Sequence, residues 1–127
     1  MSSLQQMKKN KISGVYMIHN KANNRIYIGS SKDIERRIKT HKLHLKKGCH
    51  SCRLMQKHYD ENPDAFEFMV LKEINEDKYL TSAERYYIQK HNTLSKMYGY
   101  NEKLPTVNFD LYKEIRTLLI EEEKEND

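Results

Sequence analysis

An α+β domain seeded by a β-hairpin is the architecture this chain of 127 residues encodes, and three patterns point to it. Residues 15–18 and 25–28 are short runs rich in β-branched and aromatic residues, set around a polar, turn-forming stretch at 20–24. Residues 66–74 alternate, with Phe66, Phe68, Val70 and Lys72 on one side and Glu67, Met69, Leu71 and Glu73 on the other. That pattern predicts a further strand, apolar enough to be central. The stretches that follow these strands space their apolar residues as helices do. The length suits one domain with one core.

Residues 1–12, with Lys8, Lys9 and Lys11, read as a flexible basic lead-in without periodicity. In the hairpin each strand carries a tyrosine beside a glycine, as Gly14-Val15-Tyr16 and Tyr27-Ile28-Gly29. Register decides whether Tyr16 and Tyr27 share a face. They are either ordinary strand aromatics or two phenols meeting in one place.

Ser30, Ser31 and Asp33 then offer helix caps, with Glu35 suited to the first turn. A helix over 33–46 places Ile34, Ile38 and Leu45 on one face, and Gly48 stops it. Arg37 and His41 stack four residues apart within that arc, either snorkelling or lining a site against the sheet. Arg36, Lys39 and Lys42 point more outward. A second helix runs from His50 or Ser51 to about residue 61, ahead of Asn62-Pro63, with Leu54 and Tyr59 among its apolar positions.

A third helix is expected over 77–91, with Leu80, Ala83, Tyr87, Ile88 and His91 in a stripe. Glu84 stands in the middle of that stripe, where a carboxylate is costly unless paired, hydrogen-bonded or bound to a metal. Arg37 is one available partner and a cation the other. Residues 97–101 form a loop or turn, and Pro105 closes the compact part. Asn108 or Asp110 caps a last helix reaching about residue 123, with Leu111, Ile115, Leu118 and Leu119 on one face. It is acidic at its end and packs on the domain or on a partner.

Lys and Arg total 23 against 18 Asp and Glu, a formal net charge of +5. The bases crowd between Lys8 and Arg53, where the acids are Asp33 and Glu35. Such a distribution is the footprint of a polyanion partner, or else a solvated lysine-rich surface. No apolar run is long enough to cross a bilayer and none resembles a secretory leader, so an intracellular, cytoplasmic protein is expected. Cys49 and Cys52 are too few for a disulfide framework and are expected as free thiols. A zinc site would need four converging ligands, and with His41, His44, His50 and His58 nearby the second pair would have to come from histidines on a predicted helix that faces elsewhere. Most of the nine tyrosines sit at regular apolar positions, which favours core packing over base stacking.

Taken in order, Gly14-Val15-Tyr16, Tyr27-Ile28-Gly29, Arg37, Glu84 and Asn101 resemble the GIY-YIG nuclease family over about residues 13–103. Asp33-Ile34-Glu35-Arg36-Arg37, Gly48-Cys49-His50-Ser51 and Gly99-Tyr100-Asn101 look most similar to the catalytic domains of phage and intron homing endonucleases. The resemblance implies an α/β nuclease domain at 13–104, with a small three-stranded antiparallel sheet flanked by helices; the last helix, within 105–127, is an appended element outside it. It implies DNA as the partner and hydrolysis of its phosphodiesters with one divalent cation, Mg²⁺ or Mn²⁺. By position, Tyr16 and Tyr27 are the paired phenols and Arg37 is the phosphate-facing guanidinium. His41 and His50 match histidines of the family, Glu84 the metal ligand, and Asn101 a supporting residue.

The chemistry of these side chains agrees with those roles. Phosphodiester hydrolysis needs an in-line water, a route for its proton and neutralisation of the phosphoryl oxygens. One carboxylate suits Mg²⁺, which keeps most of its waters, and a guanidinium offers fork-shaped donors. A phenol with pKa about 10 is a poor base unless a neighbour lowers it. Tyr16 is the favoured base or proton relay, with Tyr27 orienting water and His41 assisting. Lys32, Arg36, Lys39, Lys42, Lys46, Lys47 and Arg53 are the expected DNA contacts. A restriction or repair nuclease of the same family is the rival within this chemistry, and an idle nucleic-acid-binding module the rival outside it. Homing enzymes of this family carry a DNA-binding region after the nuclease domain, whereas about twenty residues follow Val107 here. Target recognition is then expected from the basic surface, a homodimer, a partner protein held by the last helix, or a separate part. The resemblance also implies a phage-encoded protein acting in a host cell.

Overall fold

A computed structural model describes residues 11–126, so nearly all of the basic lead-in lies outside the described residues. Strands β1 (Gly14–Asn20) and β2 (Arg25–Ser31) form the hairpin, followed by helices α1 (Ile34–Lys47) and α2 (Arg53–Glu61). Strand β3 (Phe66–Glu73) comes next, then α3 (Leu80–Lys90) and α4 (Phe109–Glu125). The three strands make one antiparallel sheet in the order β2-β1-β3. The expected three-stranded sheet flanked by helices is therefore present.

Local chemistry explains the element ends. In the hairpin turn, Asn20 Oδ1 accepts from the Ala22 amide at 3.0 Å and Asn23 Oδ1 from the Arg25 amide at 2.9 Å. Asn24 takes a left-handed conformation, φ 63°, that asparagine tolerates. Asp33 caps α1 by accepting from the Arg36 amide, and Gly48, φ 75°, ends it in the left-handed region. Asn108, of the two residues considered, caps α4 by accepting from the Leu111 amide.

β3 is an edge strand, and β1 is the central one, contrary to the reading of residues 66–74. β1 pairs on both sides and buries Val15, Tyr16 and Ile18 almost completely. β3 also carries an irregularity: Val15 faces Lys72 while Tyr16 faces Val70, leaving Leu71 unopposed. The simple alternation fails there. Val70 is 43 % exposed and Leu71 packs into the core.

Other expectations shift by a turn or a face. α2 begins at Arg53, not at His50 or Ser51, and buries Met55 and Gln56 while Leu54 is exposed. Residues 77–79 form a separate 3₁₀ turn before α3, and His91 is its C-cap. On α4, Ile115 and Leu119 are buried but Leu118 is exposed.

The sheet divides the core into two clusters, because side chains alternate faces along each strand. On one face Val15, Ile26 and Ile28 pack with α3 and α4 through Leu80, Ala83, Ile88, Ile115 and Leu119. On the other Tyr16, Ile18 and Tyr27 pack with Ile34, Leu45, Met55 and Tyr100. Helix α4 covers the first face. Its Glu122 pairs with Lys72, and its Glu123 accepts from Tyr86 and Lys90.

Candidate active site

Register brings the two hairpin tyrosines together. Tyr16 lies opposite Gly29 and Tyr27 opposite Ile18, so the phenols are diagonal neighbours on the α1 side of the sheet. Their ring centroids are 6.4 Å apart. Gly29 is needed for this arrangement: a Cβ at that residue would lie 2.4 Å from the Tyr16 hydroxyl oxygen.

Helix α1 presents His41 and Arg37 to the pair. His41 is buried, with Nε2 2.7 Å from the Tyr16 hydroxyl and its ring 5.4 Å from that of Tyr27. Its Nδ1 is 2.7 Å from His50 Nε2, and the two imidazoles stack at 22°. Arg37 is exposed, and acts on both phenols as a nearby positive charge. The Tyr16 hydroxyl beside it raises that guanidinium further above its ordinary value, against the opposing effect of burial.

Glu84 reaches the same place from α3, on the opposite side of β2. It is half-buried and accepts the Ser30 hydroxyl at 2.6 Å. Among the described residues, the ion pairs do not include one between Glu84 and Arg37, so the pairing considered from sequence is not formed. Asn101 takes a different post. Its Oδ1 accepts from the Ile28 amide at 2.8 Å and its Nδ2 donates to the Ile28 carbonyl at 2.9 Å. It is thus bound to the β2 edge by both ends of its amide.

A cleft of 270 Å³ opens at this edge, lined by Tyr27, Glu84, Asn101, Ser51, Cys52 and Lys103 among others. The site is therefore built around β2 from both faces, with phenols, Arg37 and His41 on one side and Glu84 on the other. Of the expected DNA contacts, Lys46, Lys47 and Arg53 gather at the α1–α2 corner, where Arg53 Nη1 is 3.5 Å from the Gly48 carbonyl. Lys32 pairs with Asp77 and Lys39 with Glu35. Lys42 lies over the Phe68 ring, and Arg36 is exposed.

Burial dominates the electrostatics. It pushes the Tyr16 hydroxyl well above the usual tyrosine range, with Tyr27 and Glu84 adding to the shift and Arg37 opposing it. Tyr27 moves the same way through burial and then Glu84. His41 is held at about 3 by burial, with His50 and Arg37 adding, so its ring is neutral at physiological pH. His50 is lowered by burial as well. Burial raises Glu84, against the hydroxyl and amide of Ser30 and the charge of Arg37.

Such a carboxylate, held by a serine hydroxyl and lining a polar cleft, fits a hard cation that takes few protein ligands. Cys49 is exposed, and Cys52 is buried with its sulfur 3.6 Å from the Tyr100 carbonyl. Sequence reasoning missed Ser30 and Gln56. Ser30 could have been found from its place two residues after the inward Ile28, and Gln56 from its helical phase beside Met55.

Comparison with known proteins agrees with this geometry. Residues 12–101 match the GIY-YIG catalytic domain. Over 90 residues, 70 % of this chain, the sequence is 42 % identical to Intron-associated endonuclease 1 of Enterobacteria phage T4, and that match spans 36 % of the relative's length. The fold is similar to the catalytic domain of homing endonuclease I-TevI, with TM-score 0.64 and 38 % identity over 72 % of this chain and 98 % of that one. A mutant of the I-TevI catalytic domain gives TM-score 0.67 and 36 % identity, covering 76 % of this chain and 99 % of that one. On sequence and fold alike, this chain belongs to the GIY-YIG family.

Proposed function

We propose that this protein is a metal-dependent DNA endonuclease of the homing type, hydrolysing phosphodiesters at the β2 edge. The observation that carries the reading is the convergence of Tyr16, Tyr27, Arg37 and Glu84 from both sides of one edge strand. Glu84 would hold Mg²⁺ or Mn²⁺, which when bound supplies charge neutralisation at the phosphoryl and leaving 3′-oxygens. Arg37 faces the phosphate and offsets its remaining charge. Tyr27 lines the cleft and orients the attacking water; burial keeps Tyr16 protonated in the free protein, so it would serve as base or relay only with further positive charge beside it, as a cation held by Glu84 would supply. A positioned base of this kind contributes about 10²- to 10⁴-fold.

His41 and His50 support Tyr16, and Asn101 holds the strand that carries Tyr27. Residues 13–104 form the nuclease unit, and helix α4 covers the far face of its sheet. DNA is approached through Lys46, Lys47 and Arg53 at the α1–α2 corner, with Arg36, Lys32, Lys39 and Lys42 beside it. A second copy or a partner protein would meet the outer face of α4, where Phe109 and Leu118 are exposed. The protein acts in the cytoplasm of the cell whose DNA it cuts.

Plasmid incubated with the protein and Mg²⁺, against an EDTA control, tests the activity. Glu84→Ala should abolish Mg²⁺-dependent cleavage and leave DNA binding by gel shift largely intact. Full activity in that variant would remove the metal assignment, and no cleavage by the wild type would remove the enzyme.

A further inference from the structure

We infer that the backbone amide of Cys52 fixes the proton positions of the buried His50–His41 pair, so that His41 donates to Tyr16 and cannot receive its proton. A peptide N–H can only donate, and the Cys52 amide is 3.0 Å from His50 Nδ1. That nitrogen must therefore present a lone pair. The Cys52 carbonyl accepts from the Gln56 amide at 3.0 Å, so both backbone groups of Cys52 are hydrogen-bonded.

The rest follows atom by atom. His50 carries its proton on Nε2, 2.7 Å from His41 Nδ1, so His41 Nδ1 accepts. The His41 proton is then on Nε2, 2.7 Å from the Tyr16 hydroxyl oxygen. A second proton on either ring would face another donor, so both rings are neutral. Which nitrogen bears the proton is set by the network, and here the network starts from a group that cannot change its role.

Gln56 is the positioning residue behind this arrangement. Its Oε1 accepts from the His50 amide at 3.0 Å, while its Nε2 donates to the Leu45 carbonyl at 2.9 Å and to Asp60 Oδ1 at 2.8 Å. The buried Gln56 side chain thus ties the 50–52 turn to both flanking helices. The consequence for Tyr16 is directional. Its oxygen receives a hydrogen bond from the protein interior, and its own O–H points away from His41. When Tyr16 ionises, the proton leaves by a route other than His41, and the phenolate already has a donor aimed at it.

This consequence rests on the reading of Tyr16 as catalytic, but the tautomers belong to the resting protein and are measured without substrate. Long-range ¹H–¹⁵N correlation spectra of the full chain labelled in histidine should show His41 and His50 neutral and protonated on Nε2 at pH 7. A proton on Nδ1 of either ring, or a cationic ring, would overturn the inference. His50→Gln keeps a donor toward His41 and should leave its Nε2–H tautomer in place. His50→Glu puts an acceptor there and should move the His41 proton to Nδ1. Cleavage by the Glu variant should fall at least tenfold below that of the Gln variant, and equal or higher cleavage would contradict the role given to the donor. The expected tautomers in a protein that never cuts DNA would leave the inference standing and remove the nuclease reading instead.

Discussion

A methyl group at residue 29 would land 2.4 Å from the Tyr16 hydroxyl oxygen, closer than packed atoms approach. Gly29→Ala should therefore displace the phenol from His41 and lower plasmid cleavage by about 10²-fold or more, the scale of losing a positioned proton carrier. The far-UV circular dichroism should stay native, since the clash is with one side chain. His41 leads to a prediction in pH. Its folded-state value of about 3 lies below the 6.5 of the unfolded chain, so the unfolded state binds more protons between those limits. The stability it contributes is complete above pH 6.5 and falls as the pH drops, by about 1.4 kcal/mol per unit for a single group. His50, His58 and His91 are lowered in the same direction. Urea midpoints should therefore decrease from pH 7 to pH 5, and His41→Gln should flatten that slope by close to one proton.

At the level of elements, the β2 edge is finished in a way that no single strand explains. The Ile26 amide donates to the Tyr98 carbonyl at 3.2 Å and the Tyr100 amide donates to the Ile26 carbonyl at 2.9 Å, so residues 98–100 run beside the strand. Asn101 then continues the ladder with its side chain, pairing with both backbone groups of Ile28 as a peptide would. An open edge next to a cleft is thereby blunted. Asn101→Asp keeps the acceptor but loses the donor to the Ile28 carbonyl, and adds a charge near Glu84. A cost of about 1–3 kcal/mol is expected. Denaturant unfolding and faster hydrogen exchange at the Ile28 amide would register it; unchanged exchange there would argue against the clamp.

For the molecule as a whole, the sheet works as a partition whose two cores are closed by different helices, and the site sits where the partition ends. α4 seals the Val15 face through Ile115 and Leu119, while α1 and α2 hold the tyrosine face. The basic corner of Lys46, Lys47 and Arg53 lies with α1 and α2 on one face of the sheet and α4 on the other, the charge separation that the proposed one-sided approach of DNA requires. Binding should weaken log-linearly with salt. Lys46→Ala and Lys47→Ala should each reduce the slope by about 1, measured on uncut DNA in the Glu84→Ala background. Slopes equal to that of the parent would place the DNA elsewhere.

Much of this architecture was legible in the residue order because it is local. The hairpin, the Asp33 cap and Gly48 stop of α1, the inward Glu84 and the order of the tyrosine motifs depend on periodicities of two and 3.6 and on capping atoms a few residues away. Other features were not legible. β3 looked central because its apolar count is high, but the irregularity at Leu71 is a property of its pairing with β1. Leu54 and Leu118 looked inward because helical spacing does not say where the neighbouring sheet ends. The clamp of Asn101 on Ile28 and the chain from Gln56 through the two histidines to Tyr16 join residues distant in sequence. Hydrogen bonds of that kind depend on a few tenths of an ångström, and those are set when the sheet register and two packed helices fix the backbone around them.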